Sequence, residues 1–156
     1  MSWFSARTEA EAVVAAEPER IWAALTDPVL LPELTPFLNS IDTDGDRWTW
    51  HLGRIPLLGV SVAPAFTVAM TFRPHERIEF VHAPPDGVRE RAGTNGWYDL
   101  TEVADGTHLA TSLEVEVDLP LARIASPAVT AAMRGVLKQM GDRFSRNLLQ
   151  HLGLPA

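Results

Sequence analysis

The chain contains no cysteine, which excludes disulfide staples, thiolate nucleophiles and sulfur-ligated metal sites. It contains no apolar run near the roughly 18 residues that a membrane-spanning helix requires. The segment Met1-Ser2-Trp3-Phe4-Ser5-Ala6-Arg7 is followed at once by Glu9 and Glu11 and lacks the apolar core of a secretion signal, so a soluble, cytoplasmic protein is expected. Positive charge is scarce: 13 Lys and Arg against 20 Asp and Glu leave a net charge of -7. That balance argues against a nucleic-acid partner, which selects a basic surface. What is present is enough apolar material, 46% of 156 residues, for one domain spanning 1–156. No linker or internal repeat divides it. The unusual feature is aromatic: five Trp and six Phe against one Tyr.

Thr8 to Ala16 reads as a strand. Pro18 suits a first helical position and Glu19 the first turn, with Ile21, Trp22 and Leu25 forming one apolar stripe. Asp27-Pro28 ends that helix, and a second short helix or turn follows over Val29 to Leu38. The period then changes to two. Asp44-Gly45 marks a hairpin into Arg47 to Leu52, and Val60 to Arg73 alternates with a break at Pro64. Arg77 to His82, Val88 to Val103 and Thr107 to Leu119 continue the pattern, each with one dry and one wet face, as in an antiparallel sheet covered on one side. The cover is a long amphipathic helix. Ser126-Pro127 marks its start, Gly153 its end, and Val129, Met133, Val136, Leu137, Met140, Phe144 and Leu148 its apolar stripe.

Glu17-Pro18-Glu19-Arg20-Ile21-Trp22-Ala23-Ala24-Leu25-Thr26-Asp27-Pro28, Gly96-Trp97-Tyr98-Asp99-Leu100 and Asp105-Gly106-Thr107-His108-Leu109 resemble the opening segment and penultimate hairpin of the START-like (SRPBCC) helix-grip superfamily, which includes Bet v 1-like proteins and polyketide cyclases/dehydrases. The element order is similar too. The resemblance implies an α+β fold in which a curved antiparallel sheet wraps a long C-terminal helix, with two short helices after the first strand and a cavity between sheet and helix.

Strand parity places residues on the two faces. A two-residue turn at Asp44-Gly45 sets Ile41 beside Trp48, and one at Asp105-Gly106 sets Leu100 beside Thr111 and Tyr98 beside Leu113. Phe72 pairs with Ile78 and Val68 with His82. A three-residue loop at Pro85-Asp86-Gly87 sets His82 opposite Glu90. The expected ligand wall is Trp48, Trp50, Phe66, Val68, Met70, Phe72, Phe80 and Tyr98, facing Met133, Leu137 and Met140. Large apolar side chains of this kind also simply fill cores. Trp3, Phe4 and Trp97 have no expected inward place.

No zinc motif, nucleophile elbow or phosphate loop is present, and no cofactor or metal is expected. Asp42-Thr43-Asp44-Gly45-Asp46 fails as a calcium loop, because its glycine comes early and Gly53 stands where the bidentate carboxylate belongs. His82 and Glu90, with Tyr98, are the catalytic candidates: a carboxylate that orients an imidazole could serve a metal-free cyclisation or dehydration. The reading favoured for the pair itself is that it only satisfies itself at the pocket mouth. The favoured expectation is a module that carries or senses a hydrophobic small molecule such as a lipid, quinone or polyketide-like compound. The alternatives are a cyclase/dehydratase and a protein-interaction module. A peripheral membrane or protein contact would use Trp97 and the basic helix residues Arg134, Lys138, Arg143 and Arg146.

Overall fold

The computed structural model describes residues 2–156. Strand β1 (Ser2–Val14) leads into helices α1 (Pro18–Leu25) and α2 (Leu30–Leu34). Strands β2 (Leu38–Asp44), β3 (Arg47–Leu52), β4 (Ile55–Leu57), β5 (Val60–Val62), β6 (Ala65–Arg73), β7 (Arg77–His82), β8 (Ala92–Val103) and β9 (Gly106–Leu119) follow, then a 3-10 turn (Arg123–Ala125) and α3 (Ser126–His151). Seven strands form one antiparallel sheet in the order β1-β9-β8-β7-β6-β3-β2, and β4 and β5 form a separate two-stranded arm. With α3 laid across its concave face, this is the helix-grip α+β architecture.

Both helix starts lie close to the expected positions. Pro18 opens α1, whose end is closed by Thr26 Oγ1 donating to the Trp22 carbonyl. Asp27 Oδ1 then accepts the Val29 and Leu30 N–H groups and starts α2. Helix α3 begins at Ser126, but that hydroxyl donates to the Arg123 carbonyl instead of capping the helix. Twenty-six residues give α3 a length of about 39 Å. Val129, Met133, Leu137 and Leu148 are buried against the sheet, while Val136, Met140 and Phe144 are half-buried. Arg20 donates to the Leu152 carbonyl at 2.7 Å and Asn147 to the Leu34 carbonyl at 2.9 Å, tying the end of α3 to the two short helices.

Four expectations need correction. Strand β1 starts at Ser2, and Phe4, paired with Val117, is 4% exposed and belongs to the core. Residues 60–73 are two strands in different sheets: at Pro64 the chain leaves the ladder, so β5 pairs with β4 and only β6 joins the main sheet. Both hairpin registers differ by two. The first loop is Gly45-Asp46, which pairs Ile41 with Trp50. The second is Ala104-Asp105, which pairs Tyr98 with Thr111 and Leu100 with Leu109. A shift of two preserves faces, so every inward assignment on these strands survives. Finally β8 starts at Ala92, four residues later than expected, leaving residues 83–91 as a loop.

Candidate ligand-binding site

The side chains expected to form the wall do share the concave face, and most are packed together there. Trp48, Phe66, Val68, Met70, Phe80, Met133 and Leu137 are buried, and Trp50, Phe72, Tyr98 and Met140 are half-buried. Trp50 stacks on Phe66 with centroids 6.3 Å apart, and Phe80 meets Tyr98 at 5.8 Å. Two polar atoms in this wall make no hydrogen bond among the described residues. The Trp50 indole nitrogen is sealed from solvent without a partner, and no described group bonds the Tyr98 hydroxyl. Burial pushes the Tyr98 pKa up to about 12, so the phenol stays neutral and available as a donor.

Open space lies at one end of this wall. A pocket of about 460 Å³ is lined by Trp22, Thr26 and Pro28 from the end of α1, Thr43 and Gly45 from the β2–β3 hairpin, and Trp48 and Phe72 from the sheet. Its aromatic side is a continuous cluster: Trp22 meets Phe72 edge-on at 6.0 Å, and Phe72 meets Trp48 at 6.0 Å. No charged side chain lines it. The space is open on the hairpin side, where Gly45, at φ +61, has nothing within 4 Å of where a Cβ would stand. Of these residues the sequence reading found Trp48 and Phe72 and missed the rest. Trp22 offered a signal, being an aromatic on a two-turn helix whose buried stripe was already supplied by Ile21 and Leu25.

The structure brings His82 and Glu90 together, but by a different route from strand pairing. Glu90 stands in the 83–91 loop, and its Oε1 lies 2.9 Å from His82 Nε2. The same oxygen accepts the Thr67 N–H at 2.8 Å, and Oε2 accepts the Thr67 hydroxyl at 2.8 Å. At this point the β6–β7 ladder is half made: Ala83 N–H still donates to Thr67 O, but the carbonyl of Ala83 accepts from Arg47 and not from the Thr67 N–H. The Glu90 carboxylate therefore occupies the place of a ladder carbonyl. On the other side, Asn95 Oδ1 accepts the His82 N–H at 2.9 Å, and the imidazole lies over Gly93, where any Cβ would collide with it. Chemically this is a fixed imidazole–carboxylate pair, half-buried at the sheet margin and away from the residues lining the pocket.

Of the four remaining histidines, His51 pairs with Asp42 at 2.8 Å, His108 with Glu11 at 3.5 Å, His151 is exposed, and His75, also exposed, meets the Trp22 ring edge-on at 5.9 Å. Among the described residues no three His, Asp or Glu side chains converge as metal ligands. Trp97, expected to be a free external aromatic, is half-buried beneath the Arg77 guanidinium, 4.9 Å from the ring. Arg77 in turn bonds Glu79 and Asp99, both at 2.6 Å, and these bonds, Glu79 foremost, raise its pKa. Arg134, Lys138, Arg143 and Arg146 are exposed on α3, with Lys138 paired to Asp142 at 2.6 Å. No described helix is long and apolar enough to cross a membrane.

Residues 5–152 match the family model described as "Polyketide cyclase / dehydrase and lipid transport". The chain belongs to this family. Solved structures similar to this Polyketide cyclase / dehydrase family member include a conserved protein from Geobacillus kaustophilus, 20% identical with a TM-score of 0.69, covering 94% of this chain and 93% of that one. A START superfamily protein from Mycobacterium smegmatis is 18% identical with a TM-score of 0.65, covering 92% and 97%. The di-domain ARO/CYC StfQ from the steffimycin biosynthetic pathway is 15% identical with a TM-score of 0.65, covering 93% of this chain and 49% of that one. No curated protein matches. These likenesses establish the fold, and the family establishes the superfamily that the sequence motifs suggested.

Proposed function

We propose that the protein binds a small, uncharged hydrophobic molecule for carriage or sensing, and that the aromatic pocket between α1, the β2–β3 hairpin and β6 is where it enters the grip. The observation that carries this reading is the pocket itself: an open depression of about 460 Å³ in which the Phe72 ring touches both Trp22 and Trp48 and which no charged side chain lines. The wall beyond it adds the neutral Tyr98 hydroxyl, a polar group that could orient such a ligand. Native mass spectrometry of protein purified from its own host, with identification of any bound small molecule, tests the reading directly. A titration with a hydrophobic fluorescent probe should show saturable binding that Trp22→Ala weakens by roughly tenfold. Absence of any co-purifying molecule together with probe binding unaffected by Trp22→Ala would overturn it.

A second reading is a metal-free cyclase or dehydratase, supported by the His82 and Glu90 contact at 2.9 Å and by the family to which the chain belongs. In it the carboxylate, held by Thr67, would orient His82 as the base. His82→Ala separates the two readings: apolar-ligand affinity should survive in a carrier, whereas an enzyme would keep its affinity and lose turnover.

A further inference from the structure

The connections at the two ends of the sheet differ in kind. At one end, beside the short uncharged α2-to-β2 connection (35–37), emerge three longer ones: the β3-to-β6 connection carrying the β4–β5 arm (53–64), the β7-to-β8 loop (83–91) and the β9-to-α3 connection (120–125). Each presents one exposed aliphatic side chain and at least one exposed arginine. Leu58, 50% exposed, accompanies Arg54. Val88, 52% exposed, accompanies Arg89, and Ile124, 91% exposed, accompanies Arg123. The first and third of these connections contain no acidic residue, and in the second Glu90 is engaged by Thr67 and His82, leaving Asp86 exposed. Arg89 lies 3.7 Å from the buried Asp118 carboxylate. Arg54 and Arg123 have no ion pair among the described residues. At the opposite end each of the four connections carries an exposed carboxylate, Glu17, Asp46, Glu76 and Asp105; the arginines and aliphatics exposed there, Arg47, Arg73, Val29 and Val103, stand just outside these turns, Arg73 at 3.8 Å from Glu76. In a chain of net charge -7, the connections of one end thus combine exposed aliphatic tips and arginines with a single exposed carboxylate, Asp86.

Leu58 sharpens the pattern. The turn joining β4 to β5 is Leu58-Gly59, with φ +48 and +82. Such a turn favours Asn followed by Gly, so the fold gives no reason for a half-exposed leucine there. Exposed aliphatic tips flanked by arginines are the chemistry of an interfacial contact: the tips enter the acyl boundary and the guanidinium groups meet lipid phosphates.

We infer that this end of the molecule docks on an anionic lipid bilayer through Leu58, Val88 and Ile124, with Arg54, Arg89 and Arg123 facing the headgroups. The surface is separate from the aromatic pocket, which lies by the acidic end, and from Trp97 and the basic face of α3. The test is co-sedimentation of the full chain with phosphatidylcholine vesicles, with and without about 30% phosphatidylglycerol, across a salt series. Binding should require the anionic lipid and weaken as salt rises. Leu58→Asn suits the turn better, so it should keep or raise the melting temperature while reducing partition roughly fivefold. Arg54→Glu with Arg123→Glu should reduce it by tenfold or more. Failure to bind either vesicle, equal binding to neutral vesicles, or partition unaffected by these variants would overturn the inference. So would a solution dimer that Ile124→Ser dissociates, because a second copy would then occupy the surface. Probe binding in the pocket, measured on the same variants, should not change, which separates this result from that of the ligand reading.

Discussion

Tyr98 is the only tyrosine in the chain, so its ionisation can be read without interference. Its folded-state pKa, pushed up to about 12 from an ordinary 10.0 by burial, means that the fold favours the protonated phenol. As pH rises between those values, the unfolded chain loses its proton first, and the folded state loses stability at about 1.4 kcal/mol per unit. The tyrosinate absorbance of native protein should therefore rise only near pH 12, and Tyr98→Phe should remove both the signal and this part of the alkaline destabilisation. Gly93 makes a second prediction. A Cβ there would collide with the His82 ring, so Gly93→Ala should displace the imidazole from Glu90 and destabilise the protein by about 1–3 kcal/mol in thermal unfolding.

The loop from 83 to 91 shows how one side chain can substitute for a strand. Once β7 separates from β6, the Thr67 N–H needs an acceptor, and a buried amide left without one is costly. Glu90 supplies it and takes the Thr67 hydroxyl and His82 as well. Glu90→Ala should cost about 2–4 kcal/mol and speed amide exchange at Thr67, whereas Glu90→Gln, which keeps an acceptor oxygen, should cost less. Parity sets Glu90 opposite His82 through a three-residue loop, whereas the chain loops out between Ala83 and Arg91 and the two residues meet by a side-chain contact. Pairing periodicity says which face a residue uses while a strand persists. It does not say where the strand stops, since that depends on whether a neighbour or a side chain satisfies the backbone. The two hairpins teach the same lesson more mildly: the loop shifted by one residue, the register by two, and Ile41, Trp48 and Tyr98 stayed on the expected face.

For the molecule as a whole, the sheet order gives a ranking of local stability. Strand β9 is paired along its length with both β1 and β8, and Thr107 at its start is fully buried, donating to the Ala16 carbonyl at 2.7 Å. Strand β2 is an edge, mostly exposed and polar through Asn39, Ser40, Asp42, Thr43 and Asp44, a composition that discourages strand addition. Native-state hydrogen exchange should find the slowest amides in β8 and β9 and much faster ones in β2 and the β4–β5 arm. Comparable protection in β2 would contradict this sheet order.

Alternation, helix-start chemistry and the apolar stripe of α3 were enough to read the order of the main-sheet strands and helices, the covered face and the aromatic wall, but not the β4–β5 arm, because each of the former follows from residues close together in the chain. Trp97 and Phe4 were not legible in the same way. One is covered by Arg77, twenty positions away, and the other lies on a strand paired with the far end of β9, and no local pattern reports a partner at that separation. The pocket was hidden for the same reason. Trp22, Gly45 and Phe72 become neighbours only when α1, the β2–β3 hairpin and β6 pack, so its existence is a property of how those three elements meet.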